Sequence, residues 1–325
     1  MKKRIPELDF IKGAAIILVV IGHVISQVWN SNPAIYENVF LFRICYSFHM
    51  PLFVFVSGWI CRLTIKSDIQ WLSKRIHHIG VPYILMTLLV FFLLRNGSIS
   101  QFIADSPYWY LLFVIIADSI LFLGIKLRLV TITFGAAYVI ILLLNWQIPQ
   151  NIGILRQLAD FLPFYAAGTL MPKITKKATK LTIPALISLG AFYIAIFPLY
   201  RHGISNQLKY IKYIFNTEKL SLVVSLCIIG INKFILPACG IALVFLITKA
   251  IYCTDITKIF RKSLEITGNH TLMIYLLHDL FFVRITGNPL ANSVISIFTA
   301  FFIPFSISAA YNVLKRKSRN YNLSK

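Results

Sequence analysis

A chain of 325 residues that is 58% hydrophobic and only 13% charged, with a mean hydropathy of +0.76, lies outside the range of water-soluble domains and fits a polytopic membrane protein. Its net charge of +21 would suit a nucleic-acid binder, but Lys and Arg fall in short runs between apolar segments and form no continuous stripe, so nucleic acid is not an expected partner. Five cysteines in or beside apolar segments, without CxxC or Cys/His metal spacing, indicate neither a disulfide framework nor a zinc site.

Roughly 20 apolar residues carry a helix across the hydrocarbon core. The first such run follows MKKR and has the outline of a signal peptide, but Asp9 and Lys12 interrupt it and no A-x-A site follows, so 9–28 reads as the first span. Further spans are expected near 39–61, 79–94, 108–125, 129–146, 152–171, 181–198, 233–251, 269–285 and 292–314. The fold class is therefore all-α, a polytopic bundle of about ten transmembrane helices forming a single membrane domain over 1–325, with no fused soluble domain. The stretch 220–231 is too short to span and ends at Asn232-Lys233; it reads as a re-entrant piece, an interfacial helix or half of a broken span. The longest loop, near 199–219, is too small for a core of its own.

An even number of spans puts both termini on one side, and the Lys/Arg bias says which. The N-terminus, 62–78, 126–128, 172–180, 252–268 and the C-terminus carry 21 of the 32 Lys and Arg residues; the opposite side carries 6, and 5 lie within or at the ends of spans. Both termini are expected in the cytoplasm. Trp29, Trp109 and Trp146 then mark the outer ends of their spans, where an aromatic belt belongs.

Ionisable residues inside spans are costly unless they face a partner or a wet cavity. Lys12 and His23, eleven residues apart, share one helix face and are separated by about 16 Å along the axis. In "FRICYSFHMPLFVFVSGWI", His49 lies two residues before Pro51, which cannot donate to the Ser47 carbonyl. In "TGNHTLMIYLLHDLF", His278 is flanked by Asp279, with Tyr275 one turn earlier. Three spans each bring an imidazole toward mid-membrane, either as hydrogen-bonding glue between helices or as proton carriers. Apart from Cys45, four residues before His49, no acidic or cysteine ligand stands at helical spacing beside them, so no metal is expected. Arg43 and the Arg156/Asp160 pair read first as charge compensation and second as an acceptor-docking region; Asp118 also lies within a span. Ser57 in "SGW" reads as a close-packing device and not a nucleophile.

Three blocks, "LDFIKGAAIILVVIGH" with its Lys-x10-His, "FHMPLFVFVSGW" and "ITGNHTLMIYLLH", resemble the membrane-bound acyltransferase family 3, and within it the fucose 4-O-acetylase-like bacterial sugar O-acetyltransferases. The resemblance covers nearly the whole chain. It implies an integral enzyme of the bacterial cytoplasmic (inner) membrane that moves an acyl group, usually acetyl from cytoplasmic acetyl-CoA, to a hydroxyl of an envelope glycan or its lipid-linked precursor. The family's basic residue and histidine in the first helix map onto Lys12 and His23. Its arginine pair before a Pro-Tyr maps onto Arg75 and His78 ahead of Pro82-Tyr83, so the second position departs from the pattern.

On that resemblance His23 is the expected general base, with an acyl-histidine intermediate as the alternative. Lys12, Lys74, Arg75 and His78 are expected to hold the CoA phosphates, unless Lys74 and Arg75 act only as topology signals. His49 and His278 are expected to orient His23 or the acceptor, or to serve as interhelical glue. A glycolipid or small-anion transporter would also carry buried charges and broken helices, but no repeat between halves is detectable. Reporter fusions at Lys176 and at the C-terminus are expected to report cytoplasm and one at Asn32 the exterior. A C-terminal exterior signal would contradict the even span count.

Overall fold

The computed structural model describes residues 5–29, 32–94, 107–147, 153–174, 183–200, 222–252, 258–282 and 285–323. In chain order they form α1 (Pro6–Val24, running on as a π turn Ile25–Trp29), α2 (Pro33–Tyr36), α3 (Phe40–Thr64), α4 (Ile69–Leu88, then a π turn Leu89–Leu94) and α5 (Trp109–Lys126). They continue as α6 (Val130–Gln147), α7 (Gly153–Ile174), α8 (Ile183–Ile196, then a 3-10 turn Phe197–Leu199) and α9 (Leu222–Gly230), which a π turn, Ile231–Ile235, joins to α10 (Leu236–Tyr252). The last are α11 (Lys258–Asn269), α12 (Thr271–Leu277, closed by a 3-10 turn His278–Phe281) and α13 (Pro289–Leu323). No strand occurs among the described residues. Six helices there are long and apolar enough to cross a membrane: Pro6–Trp29, Phe40–Thr64, Trp109–Lys126, Val130–Gln147, Val224–Tyr252 and Pro289–Ile307. The shorter apolar helices Pro184–Leu199 and Thr271–Phe281 join them in an all-α membrane bundle.

Several boundaries differ from the sequence-based expectation. The stretch 220–231 is no separate piece: a π turn inserts one residue per turn without breaking the rod, so α9 and α10 are one continuous helix that begins well before residue 233. The expected span 269–285 contracts to α12 and its 3-10 turn, because the chain breaks at His270 and leaves the helix after Phe281. Helix α4 starts at Ile69, ten residues before the expected span, where the Asp68 carboxylate accepts from the Gln70 amide. Lys74, Arg75 and His78 therefore stand on a helix and not in a loop. Asn288 starts α13 by accepting from Leu290 N at 2.9 Å, with Pro289 in the first turn, and the helix passes through Pro304. The expected loop 199–219 falls almost wholly outside the described residues.

Contacts divide the chain into two units, Met1–Met50 with Leu181–Lys325, and Pro51–Lys180. The division falls between Met50 and Pro51 inside α3. In the first unit α1 and α11 touch backbone to backbone. A Cβ on Gly13 would run into the Leu264 carbonyl, and one on Gly268 into the Asp9 carbonyl. The Phe48 ring lies on α10 where Gly240 has no side chain, its Cγ 2.5 Å from an ideal Cβ.

The second unit repeats the device. A Cβ on Gly58 of α3 would strike the Tyr165 carbonyl, and one on Gly168 of α7 the Phe55 carbonyl. Such reciprocal glycine crossings gain close van der Waals packing where lipid offers helices no hydrophobic drive to associate. Gly168→Leu is expected to destabilise the detergent-solubilised protein by at least about 1–3 kcal/mol, the cost of overpacking. Gly135→Ala, in open space on α6, should leave the melting temperature unchanged or raise it. Thermal melts followed by size-exclusion fluorescence check both.

Candidate active site

Four side chains of the first unit form one polar cluster. His23 occupies the last turn of α1, immediately before the π turn, a helix irregularity frequent at functional sites. Its ring lies 5.4 Å from that of His278 and 6.2 Å from that of Tyr46, centroid to centroid. Tyr46 in turn meets the His49 ring edge-on at 4.8 Å. All three histidines singled out in the sequence thus converge, with Tyr46 between two of them.

The rings are held from behind. His49 Nδ1 lies 2.7 Å from the Cys45 carbonyl and His278 Nδ1 lies 2.8 Å from the Tyr275 carbonyl. A carbonyl only accepts, so in the neutral ring the proton is on Nδ1 and Nε2 keeps its lone pair. His49 and His278 are buried, whereas His23 retains accessible surface. Gln27, one turn beyond His23, brings its amide nitrogen to 3.4 Å from His23 Nδ1. The Tyr46 ring is seated against Gly22, where an added Cβ would come within 2.9 Å of Tyr46 Cε2.

The cations expected to hold the donor are placed differently from one another. Lys12 Nζ is paired at 2.6 Å with Asp9, one turn earlier on α1. On α4, Lys74 and His78 are exposed, while Arg75 turns inward. Arg75 donates its Nε–H to Asp118 Oδ2 on α5 at 2.7 Å, and Tyr165 of α7 donates its hydroxyl to the other carboxylate oxygen. The carboxylate that stood unassigned within a span is the partner of an arginine expected to bind ligand.

Arg43 has a local task. Its guanidinium donates to the Phe197 and Tyr200 carbonyls at 3.1 and 2.9 Å and lies over the Phe197 ring, closing the end of α8. The Ser57 hydroxyl donates to the Phe53 carbonyl at 2.9 Å and meets the Tyr110 hydroxyl at 2.6 Å, with its neighbour Gly58 in the helix crossing, as a packing role requires. Arg156 is exposed at the start of α7. Among the described residues no group of three or more His, Cys, Asp and Glu is arranged to hold a metal ion.

Sequence reasoning missed Tyr46, Gln27 and Tyr165. The first two carried a signal: Tyr46 precedes His49 by three residues and Gln27 follows His23 by four, the spacings that share a helix face.

An acyltransferase domain, acyltransferase 3, matches residues 5–313. The chain belongs to the acyltransferase 3 family. Its six long apolar helices among the described residues fit a multi-pass membrane protein. Two proteins named nodulation protein NolL are similar over short stretches. That of Sinorhizobium fredii is 45% identical over 60 residues, 18% of this chain and 16% of the relative. That of Mesorhizobium japonicum is 33% identical over 85 residues, 25% of this chain and 22% of the relative. The chain thus spans about a fifth of the length of the curated relatives it matches. No solved structure matches it.

Within an acyltransferase 3 protein the seat of Tyr46 is open to test. Gly22→Ala should displace the ring from between His23 and His49 and cut the acyl-transfer rate roughly tenfold to a hundredfold, as misplacement of about 1 Å does. Initial rates of the purified variant check this, with Gly135→Ala as the control helix glycine.

Proposed function

We propose that the chain is an O-acetyltransferase of the bacterial cytoplasmic membrane, in the fucose 4-O-acetylase-like group of its family. It moves acetyl from cytoplasmic acetyl-CoA to a hydroxyl of an envelope or exported glycan or its lipid-linked precursor. The observation that carries the proposal is the convergence of His23, His278, Tyr46 and His49 in a chain of this family. In this reading the whole chain acts as one catalytic domain of ten spans with both termini in the cytoplasm.

The reaction needs a base, a leaving group that accepts a proton, and held substrates. His23 is the base: it takes the proton of the acceptor hydroxyl as the oxygen attacks the thioester carbonyl. The carbon–sulfur bond then breaks, the acetyl ester remains on the sugar, and the imidazolium returns its proton to the CoA thiolate. A positioned base contributes typically about 10²–10⁴ in rate. Gln27 selects the reactive nitrogen. With its amide nitrogen facing Nδ1 the proton sits on Nε2; turned about, its oxygen accepts from Nδ1–H and frees Nε2 as the base. His278 and His49, anchored through Nδ1, orient His23 or the acceptor through Nε2. Lys12, Lys74 and Arg75 supply positive charge, and His78 a ring N–H donor, for the CoA phosphates.

Proton NMR of cell-surface glycans before and after mild base, with and without the gene, should show a base-labile O-acetyl signal that depends on the gene. An unchanged glycan in every fraction would favour a glycolipid or anion transporter. His23→Ala should abolish the signal while the protein stays in the membrane, since removing an interior polar group does not hinder insertion. His23→Gln should be equally inactive, because it keeps hydrogen bonding but takes up no proton. An active glutamine variant would make His23 interhelical glue.

A further inference from the structure

We infer that Asp118 and Tyr165 are positioning residues that aim the Arg75 guanidinium at the donor. Three helices of the second unit meet here: α4 supplies Arg75, α5 Asp118 and α7 Tyr165. Asp118 is 1% exposed, and both its oxygens are engaged, Oδ2 by Arg75 Nε at 2.7 Å and Oδ1 by the Tyr165 hydroxyl. Tyr165 is fully buried, and the Gly58 and Gly168 crossings hold the α7 backbone around it against α3.

The asymmetry of the pair carries the inference. A carboxylate whose task is to neutralise arginine does so best with a two-point fork, each oxygen taking one N–H. Here a single point, Nε, is engaged, and the second carboxylate oxygen is given to tyrosine. No other hydrogen bond occupies the guanidinium among the described residues, and 31% of the Arg75 side chain is accessible. Holding arginine by Nε leaves its end-on edge, the two Nη nitrogens, for an oxyanion. That edge matches a phosphate with two parallel N–H donors. The chemistry recognised is a phosphate monoester or diphosphate, as acetyl-CoA carries. This rests on the assignment of Arg75 to donor binding, and on it a lysine at this position would not serve, since a single ammonium cannot be gripped by Asp118 and still present two parallel donors.

Donor saturation of the purified enzyme separates aiming from charge compensation. Asp118→Ala should raise the KM for acetyl-CoA roughly tenfold, what losing one hydrogen bond to a charged group costs, with the acceptor KM unmoved. Tyr165→Phe, which removes one buried support and keeps the ring, should raise it by a smaller factor. Asp118→Asn, which keeps an oxygen for the Nε–H, should restore most of the donor affinity that alanine loses. In an Arg75→Ala background neither change at Asp118 should shift the donor KM further. A donor KM that falls or stays level in Asp118→Ala and Asp118→Asn, while Arg75→Ala raises it, would reduce Asp118 to a counter-ion and overturn the proposal. A donor KM unmoved by Arg75→Ala would instead remove Arg75 from the donor site and refute the underlying assignment. Should Asp118→Ala not accumulate in the membrane, Asp118→Asn and Tyr165→Phe decide: a raised donor KM in Tyr165→Phe beside a nearly normal one in Asp118→Asn supports aiming, and any other pairing contradicts it.

Discussion

A polar side chain on a helix inside hydrocarbon has no water to turn to, and several ionisable groups in this bundle are placed by a partner that replaces it. Arg75 turns in from α4 because Asp118 waits on α5, and Asp118 is tolerable at 1% exposure because Tyr165 takes its second oxygen. Arg43 is met by the open carbonyls at the end of α8, and Lys12 by Asp9. These contacts need helices that approach closely. Glycine supplies that approach at Gly13 and Gly268 in one unit and at Gly58 and Gly168 in the other, where carbonyl oxygens sit in the space a methyl group would fill.

The same constraint gives the histidine cluster its character. His49 and His278 satisfy themselves on their own helices through Nδ1, which leaves each neutral ring with a lone pair directed elsewhere. Among the described residues the His23 ring has one long hydrogen-bond contact, to Gln27, beside its ring contacts with His278 and Tyr46, and it keeps accessible surface, so it is the least firmly held of the three. An imidazole that is near others, weakly held and reachable is the member suited to gain and lose a proton. That is the physical content of proposing His23 as the base in a chain of the acyltransferase 3 family.

Periodicity and hydropathy made the long spans legible: the helices Pro6–Trp29, Phe40–Thr64, Trp109–Lys126 and Val130–Gln147 lie within a few residues of their expected places. The three histidines were legible as well, because a titratable residue within an apolar run stands out. What was not legible depends on geometry that leaves no local mark. A π turn has no composition of its own, so Asn232-Lys233 looked like an end where the helix runs on from α9 to α10. Helix α12 stops after a few turns although its apolar run continues, and α4 begins among charges that resembled a loop. The Arg75–Asp118 pair spans 43 positions and the Tyr165–Asp118 bond 47, beyond the reach of any helical spacing rule. Tyr46 was hidden in the company of Phe42 and Phe48, one aromatic residue among several on the same stretch of α3.

The most direct measurement of the central claim follows the acetyl group itself. Purified protein in lipid nanodiscs is given acetyl-CoA labelled with 13C in the acetyl carbonyl, together with glycolipid extracted from the source membranes. The label should appear as an ester removed by mild base, in an amount equal to the free CoA thiol released. Label that stays on CoA in the presence of every glycan fraction, with no thiol released, would contradict it.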